Sequence, residues 1–449
     1  MKLIINKFPP IVEKCEIDLS KKLTLFVGKN NSGKTYISQL IWGIYDFKND
    51  SMLYINNLDS TLKVFNIEKL NKEYEFEVKK KDLDKISENF SKLFMENKIQ
   101  TTFKNKMETD IEIVFTLEDF KKKRLKAGLS AFGLEIDFSK KKGSAKIKIK
   151  IKENNNIDLM LDDEDLINKY LESIIIRAIL SEETIYMPST RLFLPSFYKY
   201  IISIEKEFKD DIFNNFDKLN NQNKNFFQST YTEPVYELIK KLIFDIDKPI
   251  KDNNYLTKLT NLIDGNISID KSEELGMADI SYTHSSGKKL PMYLSSSMVN
   301  QLATVYLYFK YWYQKDNSFL LLDEPEMNLH PEKKIEFTRI LLDYASSNKL
   351  LIATHSSTLA KSIINYIHLF DLKKKIGDEK IADFIDDEDL KMDSSIDLVS
   401  NDIGIYYFNG RTITSYKRDN NSDIHFGTFT EIEELQKKQY ECVMDKLEE

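Results

Sequence analysis

Apolar positions along this chain fall into short runs, helical stripes and one strict alternation, and these periods predict its elements. Residues 3–6, 12–17 and 23–27 read as strands, punctuated by Pro9-Pro10 and Ser20-Lys21-Lys22. Ile37, Leu40, Ile41 and Ile44 then repeat at helical spacing. A helix is expected over 82–95, from Leu83, Ile86, Phe90, Leu93 and Phe94. Residues 111–115 read as a strand, and 146–152 alternate isoleucine with lysine. That period of two puts the isoleucines on a core and the lysines in water. Its expected place is a solvated edge whose lysines block aggregation. The other reading, with Lys140-Lys141-Lys142 upstream, is a strip that contacts a phosphate backbone.

Residues 164–180 follow as a helix opened by Asp162-Asp163, acidic groups that suit a helix start. A short strand at 184–187 leads to Arg191, weighed between a nucleotide pocket and an ordinary ion pair. The stretch 196–275 reads as mainly helical (198–208, 234–244, 255–263), and 278–293 as a hairpin. A helix carries Val299, Leu302, Val305, Phe309 and Trp312. Residues 318–323 are a continuous apolar run, as a buried parallel strand requires. A helix over 332–345 and a strand at 350–354 complete a β-α-β unit. A hairpin at 404–416 around Asn409-Gly410 and a closing helix at 430–447 end the chain, with Asp386 to Asp389 as a solvated loop or helix start.

Together these elements predict an α/β fold, a mixed sheet with a parallel core broken by a large β-plus-helical insertion. Three segments are expected: an N-terminal lobe at 1–47, an insertion at 48–275 (β-rich over 109–161, helical over 196–275) and a C-terminal lobe at 276–449. Composition changes this little. The chain has 449 residues and a net charge of −7, so its surface as a whole does not advertise nucleic acid. Two cysteines, Cys15 and Cys442, argue against a disulfide framework or a zinc site. No run has the apolar length of a membrane span and the first residues make no signal peptide, so a cytoplasmic location is expected.

The chemistry lies at three strand ends. Gly28-Lys29-Asn30-Asn31-Ser32-Gly33-Lys34-Thr35 is a G-x-x-x-x-G-K-T phosphate loop between a strand and a helix. Its glycines let successive N–H groups face one anion at a helix N-terminus. Lys34 can reach the β- and γ-phosphates of ATP, and the Thr35 hydroxyl can ligate Mg²⁺. Asp323 and Glu324 end the apolar strand, the first suited to the metal and the second to the attacking water. His355 ends the next strand, placed to sense the γ-phosphate.

In order, the phosphate loop, Leu294-Ser295-Ser296-Ser297-Met298, LLLDEPE, Asn328-Leu329-His330-Pro331 and ATHS resemble the ABC-type ATPase head of the SMC-, RecF- and OLD-like group of bacterial AAA ATPases. The resemblance covers 1–47 and 276–416. It implies that two heads sandwich ATP, with Ser295, Ser296 and Ser297 of one capping the phosphate of the other, and with Asn328 and His330 facing the partner. It also implies that His355 is the switch histidine. Ser297 stands where glycine is expected and Met298 where glutamine is frequent, a departure that implies slow turnover. The last 94 residues read as the head's own closing elements, so no nuclease domain is expected. Stand-alone ATPases of this kind resemble components of anti-phage systems such as PARIS, Septu and abortive-infection modules. That likeness implies a homodimer or higher oligomer acting with a separate effector, a nuclease or toxin. A repair-type clamp on DNA and a hydrolysis-weak scaffold are the alternatives.

Overall fold

The computed structural model describes residues 1–50, 62, 64, 73–131, 134–153, 161–195, 231–245, 249–250, 253–271, 278–416, 435 and 437–440. The helix expected at 198–208 lies outside them, as does the closing helix apart from residues 435 and 437–440. Two compact units divide the chain, Met1–Ser20 with Leu40–Thr184 and Lys21–Gln39 with Ile185–Glu449. These units cut across the expected segments, because a strand from the insertion pairs with the first strand of the chain.

In the first unit, β1 (Lys2–Lys7) lies between β2 (Cys15–Asp18) and β5 (Asp110–Val114), antiparallel to both. Residues 12–14, expected in the second strand, precede β2. The helix α2 (Lys80–Leu93) buries Leu83, Ile86, Phe90 and Leu93. Its Ser87 and Ser91 hydroxyls accept from the N–H groups of Phe115 at 2.9 Å and Ile113 at 2.8 Å. Those bonds satisfy donors along the outer edge of β5, which would otherwise invite further pairing.

The second sheet of this unit runs β4 (Glu73–Glu77), β8 (Lys146–Glu153), β7 (Leu134–Lys140), β6 (Leu125–Ala131), all antiparallel. Ile147, Ile149 and Ile151 are buried, as the alternation predicts. The edge placement is corrected: β8 is an interior strand. Its lysines survive there because carboxylates face them. Lys150 lies 2.9 Å from Glu73 and Lys148 3.6 Å from Glu75, while Asp137 and Glu135 stand opposite Lys150 and Lys152 on β7. Cross-strand pairs of opposite charge stabilise a sheet face, so the row as a whole is no bare cationic strip.

In the second unit, a six-stranded sheet has the order β16 (Ile413–Ser415), β15 (Ile403–Phe408), β3 (Leu23–Gly28), β14 (Lys349–Thr354), β13 (Ser318–Asp323), β9 (Glu183–Met187). The pairs β15–β3, β3–β14 and β14–β13 are parallel, and β16 runs antiparallel at one edge. Every residue of β3 and β13 is buried, which explains their unbroken apolar runs. Leu25, Val27, Leu320, Leu322 and Ile352 share one core with α8 (Ser297–Leu307), α9 (Pro331–Ser347) and α10 (Ser357–Ile376).

Two readings are corrected here. Within the stretch expected to be helical, α6 (Glu233–Phe244) and α7 (Asn254–Ile263) are followed by the strand β10 (Gly265–Lys271). Ile267 and Ile269 alternate, and β10 pairs with β11 (Ala278–His284), which pairs in turn with β12 (Lys289–Pro291). After His355 come α10 and α11 (Asp378–Asp387) before the hairpin, so Asp386 and Asp387 close a helix rather than open one. Among the described residues, no helix is long and apolar enough to cross a membrane.

The parallel pairing sets Gly28 beside Phe408. A Cβ on Gly28 would lie 2.2 Å from the Phe408 carbonyl oxygen, at a φ of +153°. Gly28→Ala is therefore expected to destabilise the protein by about 2–4 kcal/mol, read by chemical denaturation. An unchanged midpoint would show that β15 yields at that point.

Candidate active site

Three parallel neighbours, β3, β14 and β13, end at one edge of the sheet, where open α/β sheets place their ligands. The phosphate loop follows β3 and opens α1 (Lys34–Asp46), and Gly33 and Asn31 take φ of +99° and +59° there. Asn30, Asn31, Ser32, Gly33, Lys34 and Thr35 line a cavity of about 270 Å³ with Asp323, Glu324 and the half-exposed Tyr36. The Lys34 ammonium donates to the Gly28 carbonyl at 2.9 Å and the Lys29 carbonyl at 2.7 Å. Burial pushes its pKa down, opposed by Asp323, Glu324 and Glu326. An arriving phosphate would favour the charged ammonium.

The Thr35 hydroxyl donates to Asp323 Oδ2 at 2.6 Å, and the Tyr186 hydroxyl donates to the same oxygen at 2.9 Å. Gln39 donates to Tyr186 in turn at 3.3 Å. Burial raises the Asp323 carboxyl to about 6, while the hydrogen bonds from Thr35 and Tyr186 oppose the rise. A hydroxyl and a carboxylate in contact are hard oxygen donors that fit Mg²⁺, which takes one or two carboxylates plus substrate phosphates and water. Among the described residues there is no cluster of three or more His, Cys, Asp or Glu to suggest a different metal.

Glu324 has a φ of +46°, a conformation in which an L side chain is strained. Its backbone is held from several sides. Its N–H donates to the Ala353 carbonyl on β14 at 2.8 Å. Its carbonyl accepts from Arg191 at 3.1 Å, from the Gln301 amide at 3.4 Å and from the Met327 N–H at 3.2 Å. Arg191 also donates to the carbonyls of Asp323 at 2.6 Å and Pro188 at 3.0 Å. This side chain is fully buried, and burial lowers its pKa to about 10, so it stays charged at neutral pH. Arg191 is thus neither a nucleotide ligand nor a simple ion-pair partner. It clamps the backbone of the turn that presents Asp323 and Glu324.

The Glu324 carboxylate meets His355 Nδ1 at 3.1 Å. The hydrogen bond from His355 holds Glu324 below the ordinary carboxylate value, and the same bond raises His355. Glu326, buried one turn on, accepts from the Thr354 hydroxyl at 2.5 Å and ties the same loop to β14.

Lys34, Thr35, Asp323, Glu324 and His355 therefore come together. Ser295, Ser296 and Ser297 do not line the loop cavity of their own chain. Ser295 is bonded locally to Met292 and Asn300, Ser296 caps α8 through the Val299 N–H, and Ser297 starts that helix. Ser297 has no positive φ, so its backbone does not demand glycine. Asn328, at a φ of +60°, and His330, before α9, are exposed. Tyr186 and Gln301 were missed by sequence reasoning. Each reads as an ordinary core position, on a buried strand and in an apolar helix, and only the sheet order brings Tyr186 to Asp323.

A model of the AAA ATPase domain matches residues 1–360. No curated protein matches the chain. Among solved structures, the chain is similar to an SMC head domain from Thermotoga maritima at 12% identity, covering 93% of this chain and 98% of that one with a TM-score of 0.30. It is also similar to an Smc head domain from Pyrococcus furiosus with an extended coiled coil, bound to the C-terminal domain of ScpA. That match has 10% identity, 98% coverage of both chains and a TM-score of 0.36. Likeness at this level says nothing about substrate or partner.

Arg191→Ala removes a buried charged donor from the carbonyls of Pro188, Asp323 and Glu324 and is expected to cost about 2–4 kcal/mol of stability. It should lower turnover more than nucleotide affinity, because Lys34 and Thr35 are untouched. Arg191→Lys lacks the planar fork and should restore little. A variant with wild-type stability and turnover would refute the clamp. The histidine pair has its own signature. A raised His355 contributes stability below 6.5 that fades as pH rises through its folded value. A lowered Glu324 contributes above 4.5 and loses it as pH falls. Without nucleotide or metal, the stability gap between wild type and His355→Ala should be widest between pH 4.5 and 6.5. It should stay under about 1 kcal/mol, since both groups reach solvent. A gap that grows above neutral pH would contradict the pairing.

Proposed function

The chain belongs to the AAA ATPase domain family, and from that premise we propose that it is an Mg²⁺-dependent ATPase serving as sensor and scaffold of a bacterial anti-phage complex. The observation that carries the ATPase reading is the single sheet edge where Thr35 bonds Asp323 and Glu324 bonds His355. Lys34 and the loop N–H groups bind and orient the phosphates. Thr35 and Asp323 are the residues that would hold Mg²⁺, whose charge offsets that of the β- and γ-oxygens. Glu324 takes the proton of a water attacking the γ-phosphorus as the bond to the ADP oxygen breaks. His355 orients that carboxylate and keeps it ionised.

Dimerisation is supported by the signature segment. Tyr293 and Leu294 are 72% and 62% exposed, beside the exposed Ser296 and Ser297. Large apolar groups next to serines that stay outside the loop cavity of their own chain suit a second copy of the chain. The defence role and the separate effector rest on the order of motifs. An SMC- or RecF-like clamp uses the same site, and DNA-stimulated turnover together with a recombination gene alongside would favour it.

Glu324→Gln should cut ATP hydrolysis by about 10²–10⁴-fold while ATP binding persists, and should gather the protein into dimers with ATP and Mg²⁺ on size-exclusion with light scattering. Turnover equal to wild type would remove the hydrolytic assignment. Loss of phage protection in that variant, with the adjacent gene co-expressed, would test the defence role separately.

A further inference from the structure

The exposed face of the β4–β8–β7–β6 sheet is charge-matched along most of its length, and at one end it is not. The cross-strand rows are Gly128–Asp137–Lys150–Glu73 and Ser130–Glu135–Lys152. Each sets a carboxylate beside its lysine. The next row is Lys126–Ser139–Lys148–Glu75, in which a hydroxyl takes the place of the β7 carboxylate. Beyond it Lys146 stands opposite Glu77 on β4, while on the other side the chain between β7 and β8 brings in Lys141 and Ser144 without a carboxylate.

A cavity of about 370 Å³ opens at this end. Arg124, Lys126, Lys140, Lys141, Lys146 and Lys148 line it against a single carboxylate, Glu75. Glu75 is already shared, at 3.9 Å from Lys146 and 3.6 Å from Lys148. Among the described residues, Arg124, Lys126 and Lys141 have no carboxylate partner. Lys140 is only 3% exposed, with its ammonium on the carbonyls of Lys123 and Lys141 and over the Phe120 ring at 4.6 Å. A buried ammonium held by carbonyls and a ring, with no counter-charge, is costly to keep charged. Converging cations in a concave site focus a positive potential on whatever enters.

We propose that this cup binds a compact, multiply charged phosphate ligand: an inorganic polyphosphate or the phosphate chain of a nucleotide. The cations would pair with phosphate oxygens, and the Ser139 and Ser144 hydroxyls add neutral donors. A run of nucleic acid fits less well. The bare positive charge ends after one row, where a strand would need a continued track, and no aromatic ring among the described residues lines the cup to stack a base. This site belongs to the first compact unit and shares no residue with the phosphate loop.

The test is calorimetry on the full chain carrying Lys34→Ala, which silences the phosphate loop, with inorganic tripolyphosphate as the probe. Adding Lys126→Glu and Lys141→Glu should weaken binding by about tenfold or more. Adding Lys150→Glu and Lys152→Glu instead, on the charge-matched rows, should change it by less than about twofold. Circular dichroism melts establish that both sets fold. ATP binding more tightly than tripolyphosphate, and lost in the same variants, would support the site and identify a nucleotide as the source. No binding of tripolyphosphate, equal loss in both variant sets, or binding of a single-stranded oligonucleotide alone would overturn the proposal.

Discussion

The site depends on one strained turn. β13 must end so that Asp323 stays buried against Thr35 while the next side chain, Glu324, reaches toward solvent and His355. A regular strand continued past Asp323 would send two successive side chains to opposite faces, whereas both carboxylates line the loop cavity, and Glu324 turns with a φ of +46°. Such strain persists only where the surroundings over-determine it. Here Arg191 grips the carbonyls of both residues, Gln301 reaches one of them from α8, and Ala353 receives the Glu324 N–H. A fully buried guanidinium is expensive to desolvate, yet it meets carbonyl after carbonyl and lies near three carboxylates that favour its charge.

That clamp links parts of the site that look separate in the chain. Gln301 lies one turn into the helix that Ser296 caps, so the segment expected to face a second subunit is hydrogen-bonded to the turn holding Glu324. Glu326 and Thr354 join the same turn to the strand that ends at His355. The phosphate loop is constrained from the other side, where β15 approaches Gly28 so closely that no side chain fits. That sheet edge is thus pinned by strands on both flanks, and its electrostatics follow from burial at Asp323 and from a hydrogen bond at Glu324. Burial raises the Asp323 carboxyl to about 6, whereas His355 holds the more exposed Glu324 below the ordinary carboxylate value.

Much of this was legible in the sequence because its periods are strong. The continuous apolar runs of β3, β13 and β14 and the alternation of β8 each match one local geometry. Legibility failed where the deciding contact was remote. β10 followed a helical stripe, within a stretch expected to be mainly helical, and is a strand because β11 pairs with it. The Lys146 to Lys152 alternation fits an edge or an interior strand equally well, and the glutamates of β4 decide for the interior. Arg191 follows a strand end at a distance that suits many roles.

The sequence by itself determined the phosphate loop, the acidic strand end and the histidine strand end, because glycine placement and apolar periodicity act within a few residues. The tertiary structure alone decided what surrounds them. Sheet order set β14 between β3 and β13, brought Tyr186 to Asp323 and turned Arg191 inward to the backbone. Cross-strand register left one end of the β4–β8–β7–β6 face with no carboxylate on β7 or β6. Those outcomes rest on contacts between residues more than a hundred positions apart in the chain, or on strands whose pairing no local pattern specifies.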